Sequence, residues 1–267
     1  MSLQVVLVEP AGPLNVGSVA RLCANFGIDG LRLVAPRCDP RDPEARRMAV
    51  HGLALLEGAR QFPSLEAAIA DCGRVVAATG RLEGAPLPLL PPAEALAWLL
   101  EGFARPPADP VPQPVVAPGA LVFGREDRGL ANGELLQAGR LLHIGTGPAY
   151  SSLNLSHAVA VVLHELHTLR QGERPLAASP STGALGQGTI WADPCRRDGL
   201  ESALADAEAL LLEVGFLLPH TSRARMAKLR ALLQRAQVSD GELALLRGMV
   251  CQLRWASRRW APAGSDT

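Results

Sequence analysis

Two hydrophobic periods divide the first 170 residues. Short runs of consecutive apolar residues alternate with stretches in which apolar positions recur every three or four residues. The runs read as buried strands and the stretches as helices. Strands are predicted over residues 4–8, 31–34, 74–78, 120–123 and 141–144. Helical spacing covers 15–26, where Val16, Val19, Ala20, Cys23 and Phe26 fall together, and then 43–58, 64–71, 92–103, 132–138 and 153–169. Asn15 is the expected cap at the start of the first helix and Gly27 at its end, and Ser64 is placed to open the helix over 64–71. The pattern over 153–169 is apolar almost all round. Strand–helix alternation of this kind predicts an α/β fold, a parallel sheet covered by helices on both faces. The proline-rich stretch 106–118 reads as a connector.

The periodicity stops at residue 171. Gly, Pro, Ser and Thr dominate up to residue 199, a stretch that predicts a linker. Three further helical patterns follow, over 200–218, 222–235 and 239–259. Leu200, Leu204, Ala207, Leu211 and Val214 share one face of the first, Met226, Leu229 and Leu233 one face of the second, and Leu243, Leu246, Val250 and Leu253 one face of the third. Ser239 followed by Glu242 has capping-box spacing. The expected organisation is therefore a domain over 1–170, a linker over 171–199 and a small all-helical domain over 200–260, without internal repeats.

Composition changes this picture in one place. The chain of 267 residues is 48% hydrophobic and has zero formal net charge, so its overall charge names no partner. The distribution of charge is uneven. Residues 221–260 hold nine Arg or Lys, Arg223, Arg225, Lys228, Arg230, Arg235, Arg247, Arg254, Arg258 and Arg259, against only Asp240 and Glu242. Such a basic tail points to a polyanionic partner, with solvated helix faces as the alternative. The five cysteines are odd in number and none has metal-ligand spacing, which argues against a disulfide framework or a zinc site. No charged-then-apolar leader follows Met1 and no apolar run is long enough for a bilayer. The expectation is a reduced, soluble, cytoplasmic protein with no membrane association and no metal.

Candidate chemistry sits at predicted strand ends. Phe123-Gly124-Arg125-Glu126-Asp127-Arg128-Gly129-Leu130 follows the strand over 120–123, and Ala78-Thr79-Gly80 ends the strand over 74–78. A glycine there lets a ligand approach the backbone, or is an ordinary turn residue. The loop from Ile144 through Gly145, Gly147, Ser151, Ser152 and Leu153 to Asn154 runs into the long apolar helix. Free N–H groups in that helix's first turn are open to a ligand, although capping by Ser151 or Ser152 fits the spacing better. A third polar motif, Asn15-Val16-Gly17-Ser18-Val19-Ala20-Arg21, lies near the start of the chain. Ligands of open α/β sheets bind at the carboxyl edge of the strands, where all three converge. Glu126 beside Arg125 and Arg128 reads as an ion pair. His164-Glu165-Leu166-His167 lacks the zinc-helix spacing. Neither a Walker loop nor a Gly-x-Gly-x-x-Gly loop is present.

With these motifs in this order, the chain resembles the SPOUT-class, TrmH-like RNA ribose 2′-O-methyltransferases. The carriers are Asn15–Arg21 with Asn25-Phe26-Gly27, Leu121–Glu126 with Gly129-Leu130, and Tyr150–Ser156. Glu213-Val214-Gly215-Phe216, Lys228-Leu229-Arg230 and Leu245-Leu246-Arg247-Gly248 resemble the helical extension of TrmJ-type members, which methylate ribose 32 of the tRNA anticodon loop. The resemblance implies a deep trefoil knot over residues 144–154 and the following helix, where folding rules alone favour an unknotted sheet. It implies a homodimer that binds S-adenosyl-L-methionine (SAM) through Ala78, Thr79, Gly80, Gly124, Ile144, Ser151, Ser152 and Leu153. It makes Arg21 the catalytic arginine, supported by Asn15, Glu126 and Asn154. An arginine is a poor proton acceptor, so Arg21 is expected to hold phosphate or ribose and orient the 2′-hydroxyl. Arg223, Arg225, Lys228, Arg230 and Arg235 are expected to contact tRNA. A ribosomal RNA substrate, or a knotted RNA-binding protein without activity, are the competing readings.

Overall fold

The computed structural model describes residues 2–82, 84–101, 117–147, 152–172 and 194–260. The chain forms two compact units, Met1–Ile190 and Trp191–Thr267. The connector over 106–116, Ser151 and most of the expected linker lie outside the described residues.

The first unit is built on seven strands: β1 (Leu3–Val8), β2 (Gly30–Val34), β3 (Arg60–Phe62), β4 (Arg74–Ala78), β5 (Leu89–Leu90), β6 (Gly119–Phe123) and β7 (Arg140–Leu142). Their order is β3-β2-β1-β6-β4-β7-β5, and every pairing is parallel. Parallel strands are covered on both faces, which is why the apolar runs are unbroken. Leu3, Val5 and Leu7 of β1 enter one core and Val6 and Val8 the other. The first core is closed by α1 (Pro13–Asn25), α2 (Pro43–Ala49), α3 (Leu53–Glu57), α5 (Pro92–Glu101) and α7 (Leu155–Arg170). The second is closed by α4 (Leu65–Ile69) and α6 (Asn132–Leu135). The α/β class expected from the sequence is the fold observed.

Local chemistry accounts for several boundaries. The helix α1 starts two residues before Asn15, because Pro13 suits a first turn and Gly12 holds the cap position. Asn15 is therefore not the cap, and its side chain is free for other bonds. Gly27, directly after the cap residue Phe26, has φ +62°, the left-handed turn that ends a helix. Ser64 caps α4 as expected, accepting from the Ala67 N–H at 3.2 Å. The single pattern over 43–58 is broken at Val50, whose φ is +46°. At Gly17 a Cβ would stand 2.1 Å from the Ala45 carbonyl oxygen, so this motif glycine lets α1 lie against α2. The edge strands β3 and β5 are missing from the sequence reading; three and two residues are too few to show a period.

The second unit holds α8 (Arg197–Glu213), α9 (Pro219–Ala236) and α10 (Asp240–Trp260). Its core is small: Cys195, Leu200, Ala203, Leu204, Leu217, Met226, Val238 and Leu243. The helix α8 begins inside the expected linker, and the Cys195 N–H bonds the Val238 carbonyl at 2.8 Å, so residues 194–199 belong to this unit. It ends at Glu213 rather than 218 because the chain turns at Gly215, φ +75°. The Ser239–Glu242 capping box forms: the Ser239 N–H donates to Glu242 Oε2 at 2.8 Å and the Glu242 N–H to Ser239 Oγ at 3.3 Å.

Candidate active site

The strand order puts the carboxyl ends of β1, β6, β4 and β7 side by side. From β1 the chain moves outward to β2 and β3, then crosses back to β4 beyond β6, so this edge is a topological switch point. A cavity of about 270 Å³ opens there. Its wall contains Ala78, Thr79 and Gly80 after β4, Gly124 and Glu126 after β6, Ile144 after β7, and Ser152 and Leu153 before α7. Seven of the eight expected cofactor residues thus share one cavity; the eighth, Ser151, lies outside the described residues. Apolar surface from Phe123, Leu130, Leu155 and Ala158 lines it alongside the strand-end backbone. A concave apolar site with a few polar groups is the usual form of a small-molecule site, and the volume is near the lower end of the roughly 300–1,000 Å³ range.

Gly124 lines the cavity for a different reason from the one expected. A Cβ there would stand 2.3 Å from the Gly129 carbonyl carbon and 2.4 Å from the Leu130 nitrogen. The glycine is needed so that the loop 124–130 can fold back on itself.

Asn15 joins Glu126 and Asn154, each more than a hundred residues away from it in sequence, in one hydrogen-bonded chain. Asn154 Nδ2 donates to Asn15 Oδ1 at 3.1 Å, and Asn15 Nδ2 donates to Glu126 Oε1 at 3.0 Å. The Gly12 and Ala11 N–H groups donate to Glu126 Oε1 and Oε2, each at 3.1 Å. Burial pushes the Glu126 carboxyl up, but Asn15 and the backbone donors outweigh it and hold it below the ordinary carboxylate value. A carboxylate so placed anchors the start of α1. Asn154 is itself the cap of α7, its Oδ1 accepting from the Ser156 N–H at 2.9 Å, so Ser152 is not the cap the spacing favoured, and Ser151 lies outside the described residues.

The Glu126 ion pair expected with Arg125 and Arg128 does not form. Arg125 bonds Asp127 instead, Nε to Oδ1 at 2.8 Å, and Arg125 and Arg128 both reach Glu9, a residue the sequence reading passed over. Glu9 directly follows β1, and a carboxylate at the carboxyl edge of the first strand is its one available signal. Arg21 is exposed on α1 and is not part of the cavity wall.

In the second unit Arg223, Arg225, Lys228 and Arg235 are exposed on α9. Arg230 is half-buried and tied to Glu201, with Nε at 2.8 and 2.9 Å from the two carboxylate oxygens. That cation is committed within the unit, and Arg225 Nη1 donates to the Phe216 carbonyl at 3.1 Å, whereas the Arg223, Lys228 and Arg235 side chains have no such partner among the described residues.

Comparison with known proteins assigns both halves. The SpoU rRNA Methylase family model matches residues 2–164, and the model of the tRNA methyltransferase TrmJ C-terminal domain matches residues 199–262. The chain is 33% identical over 270 residues to the tRNA (cytidine/uridine/adenosine-2′-O-)-methyltransferase TrmJ of Pseudomonas aeruginosa, covering 99% of this chain and 98% of that protein. It is 34% identical over 261 residues to the tRNA (cytidine/uridine-2′-O-)-methyltransferase TrmJ of Cronobacter sakazakii, covering 98% and 99%. The crystal structure of TrmJ from Z. mobilis ZM4 superposes with a TM-score of 0.75 at 29% identity, over 95% of this chain and 99% of that one. With the motif residues gathered at one sheet edge and the likeness running from end to end, the chain belongs to the SpoU methylase family and, within it, to the TrmJ type.

Proposed function

We propose that the protein transfers a methyl group from SAM to the 2′-oxygen of a tRNA ribose, at nucleotide 32 of the anticodon loop, in the cytoplasm. The observation that carries this reading is the hydrogen-bonded chain Asn154–Asn15–Glu126 beside a cavity that collects the expected cofactor residues. The full-length likeness to tRNA 2′-O-methyltransferases supports tRNA over ribosomal RNA. It also supports an enzyme over a passive binding module.

The cavity suits the cofactor: apolar walls for a flat base, and strand-end backbone groups for its polar edges. Ala78, Thr79, Gly80, Gly124, Ile144, Ser152 and Leu153, with Ser151, are proposed to hold it. When bound, SAM supplies an electrophilic methyl group on a sulfonium. Glu126 accepts from three donors that favour its ionised form, so its part is to fix the start of α1 and not to take the 2′-hydroxyl proton. Asn154 ties the start of α7 to that same anchor. Arg21, carried by α1, is proposed to grip phosphate or ribose and orient the hydroxyl for in-line attack.

Arg21 stands outside the cavity wall of its own chain, and large apolar residues are exposed on α1 (Leu14) and α7 (Val161). Both features support a homodimer with the site completed near the subunit interface. A trefoil knot through residues 144–154 and α7 is proposed on the family likeness.

The test is to incubate the protein with methyl-labelled SAM and unmodified tRNA, and to map alkali-resistant linkages. Label at nucleotide 32, with cytidine, uridine and adenosine compared there, is expected. Label confined to ribosomal RNA would overturn the substrate, and no label on any RNA would overturn the enzyme.

A further inference from the structure

Next to the cavity, three guanidinium groups converge on one carboxylate oxygen. Arg37 reaches Glu9 Oε2 through Nε at 2.9 Å and Nη2 at 2.7 Å. Arg125 Nη1 stands 3.0 Å from the same oxygen and Arg128 Nη2 3.3 Å. These arginines come from two segments, one after β2 and one after β6. Asp127 balances Arg125. Among the described residues, that leaves Glu9 as the carboxylate paired with both Arg37 and Arg128, in a cluster of three cations and two anions.

The backbone is bent to build this cluster. Glu9 has φ +48° and Ala35, at the end of the neighbouring strand, has φ +41°. Neither is glycine, so both conformations cost energy. The Arg37 N–H bonds the Pro10 carbonyl at 2.9 Å, which fixes Arg37 beside Glu9. Like charges held this close repel unless a further anion joins them. Arg37 and Arg128 remain 53% and 46% exposed, so that anion can arrive from solvent. Arg128 lines the cavity and Arg37 does not, so the cluster runs from the cavity mouth outward.

We propose that Arg37 and Arg128, held by Glu9 as a positioning residue, form a phosphate-binding site for the RNA backbone next to the ribose that enters the cavity. The inference rests on the methylation reading for its substrate. Planar guanidinium groups match phosphate oxygens in pairs, and such contacts set the register of a strand without reading its bases. The Glu9 carboxyl is held below the ordinary value, chiefly by its bond with Arg125, so the clamp stays assembled near neutral pH.

A sign test separates positioning from bulk charge. Glu9→Gln adds one positive charge to the protein, and charge alone makes RNA bind more tightly. Loss of the strong carboxylate acceptor frees Arg37 and Arg128, and the proposal expects tRNA affinity to fall several-fold. The double variant Arg37→Gln/Arg128→Gln is expected to weaken tRNA binding at least about ten-fold near 0.1 M salt, and to flatten the log–log salt slope by about 0.7–0.9 per lost contact. S-adenosylhomocysteine affinity is measured on all variants and is expected to stay within two-fold, which also shows that the cavity is folded. Unchanged or tighter tRNA binding by Glu9→Gln would overturn the positioning role. An unchanged salt slope in the double variant would overturn the phosphate site. A fall in S-adenosylhomocysteine affinity would assign the cluster to the cofactor carboxylate instead. Binding is measured at equilibrium, so a protein that holds tRNA here without methylating it would refute the enzyme reading and leave this site standing.

Discussion

The polar groups at the sheet edge of the first unit and the cations of the second are held in opposite ways. At the sheet edge, bonds join residues far apart in sequence: Asn15 to Glu126 across 111 positions, Asn154 to Asn15 across 139. Each partner is fixed by an element buried in one of two large cores. In the second unit one small cluster holds three helices together, and the side chains of Arg223, Lys228 and Arg235 make no hydrogen bond or ion pair among the described residues. Leu245, Met249 and Leu253 of α10 stay 66%, 53% and 57% exposed. The first arrangement suits chemistry, which needs groups placed to within a fraction of an ångström. The second suits contact with a flexible, highly charged partner, where mobile cations supply affinity without base specificity.

The largest effect is expected at Gly17, in the first unit. Gly17→Val drives a side chain into the Ala45 carbonyl, and a clash with backbone is not relieved by a rotamer change. The expected cost is about 4 kcal/mol or more. Circular dichroism melting should then show the first unit unfolded while the helical signal of the second persists. A single cooperative melt of both would mean the two units are not independent.

Next in size is Arg21→Ala. If Arg21 grips substrate as proposed, methyl transfer should fall by about 10²–10³-fold, some 2.7–4 kcal/mol of transition-state stabilisation. The thermal shift with S-adenosylhomocysteine should be retained, because Arg21 is not in the cavity wall. Near-normal turnover would remove it from the catalytic role.

Glu126→Gln also acts on the first unit. It weakens three bonds to residues 11, 12 and 15 around the start of α1 and is expected to cost about 1–3 kcal/mol in urea unfolding. The pH dependence has a definite sign. The native carboxyl is held below its ordinary value of 4.5, so its stabilisation is fully present above pH 4.5 and is lost as pH falls through the lower native value. Wild type should lose stability in that acid range more steeply than Glu126→Gln. Parallel curves would show that the network contributes nothing to folding.

The smallest effects belong to the second unit. The cut belongs at Ile190, because residues 194–199 pack with the helices. The chain ending there should still show the S-adenosylhomocysteine shift but bind tRNA more weakly. Single changes Arg223→Gln, Lys228→Gln and Arg235→Gln should each reduce tRNA affinity only a few-fold, with the salt slope falling by about 0.7–0.9 per contact. Arg230→Gln should act on stability instead, by about 1 kcal/mol or less, through the half-exposed pair with Glu201. If Arg230→Gln weakened tRNA as much as its neighbours, the division between committed and free cations would be wrong.

Much of this was legible in the sequence because it depends on short-range physics. Unbroken apolar runs announced buried parallel strands, Ser64 and the Ser239–Glu242 pair announced their caps, and motif residues at strand ends announced the edge at which the cavity opens. Each signal needs only a few neighbouring residues. What the sequence left open depends on partners that only folding brings together. Asn15 was read as a cap because its local spacing allows it; Pro13 moved the helix start, and Glu126 took the freed amide. Gly124 was read as room for a ligand, but the returning backbone of Gly129 and Leu130 fills that room. Arg230 looked like its exposed neighbours until α8 placed Glu201 beside it. Glu9 carried no motif, and its three arginines meet only where β1, β2 and β6 end together. A chain's period and turn residues are local properties of the polymer. Which charged group faces which is set by the register of strands more than a hundred residues apart, and only the tertiary structure decides that.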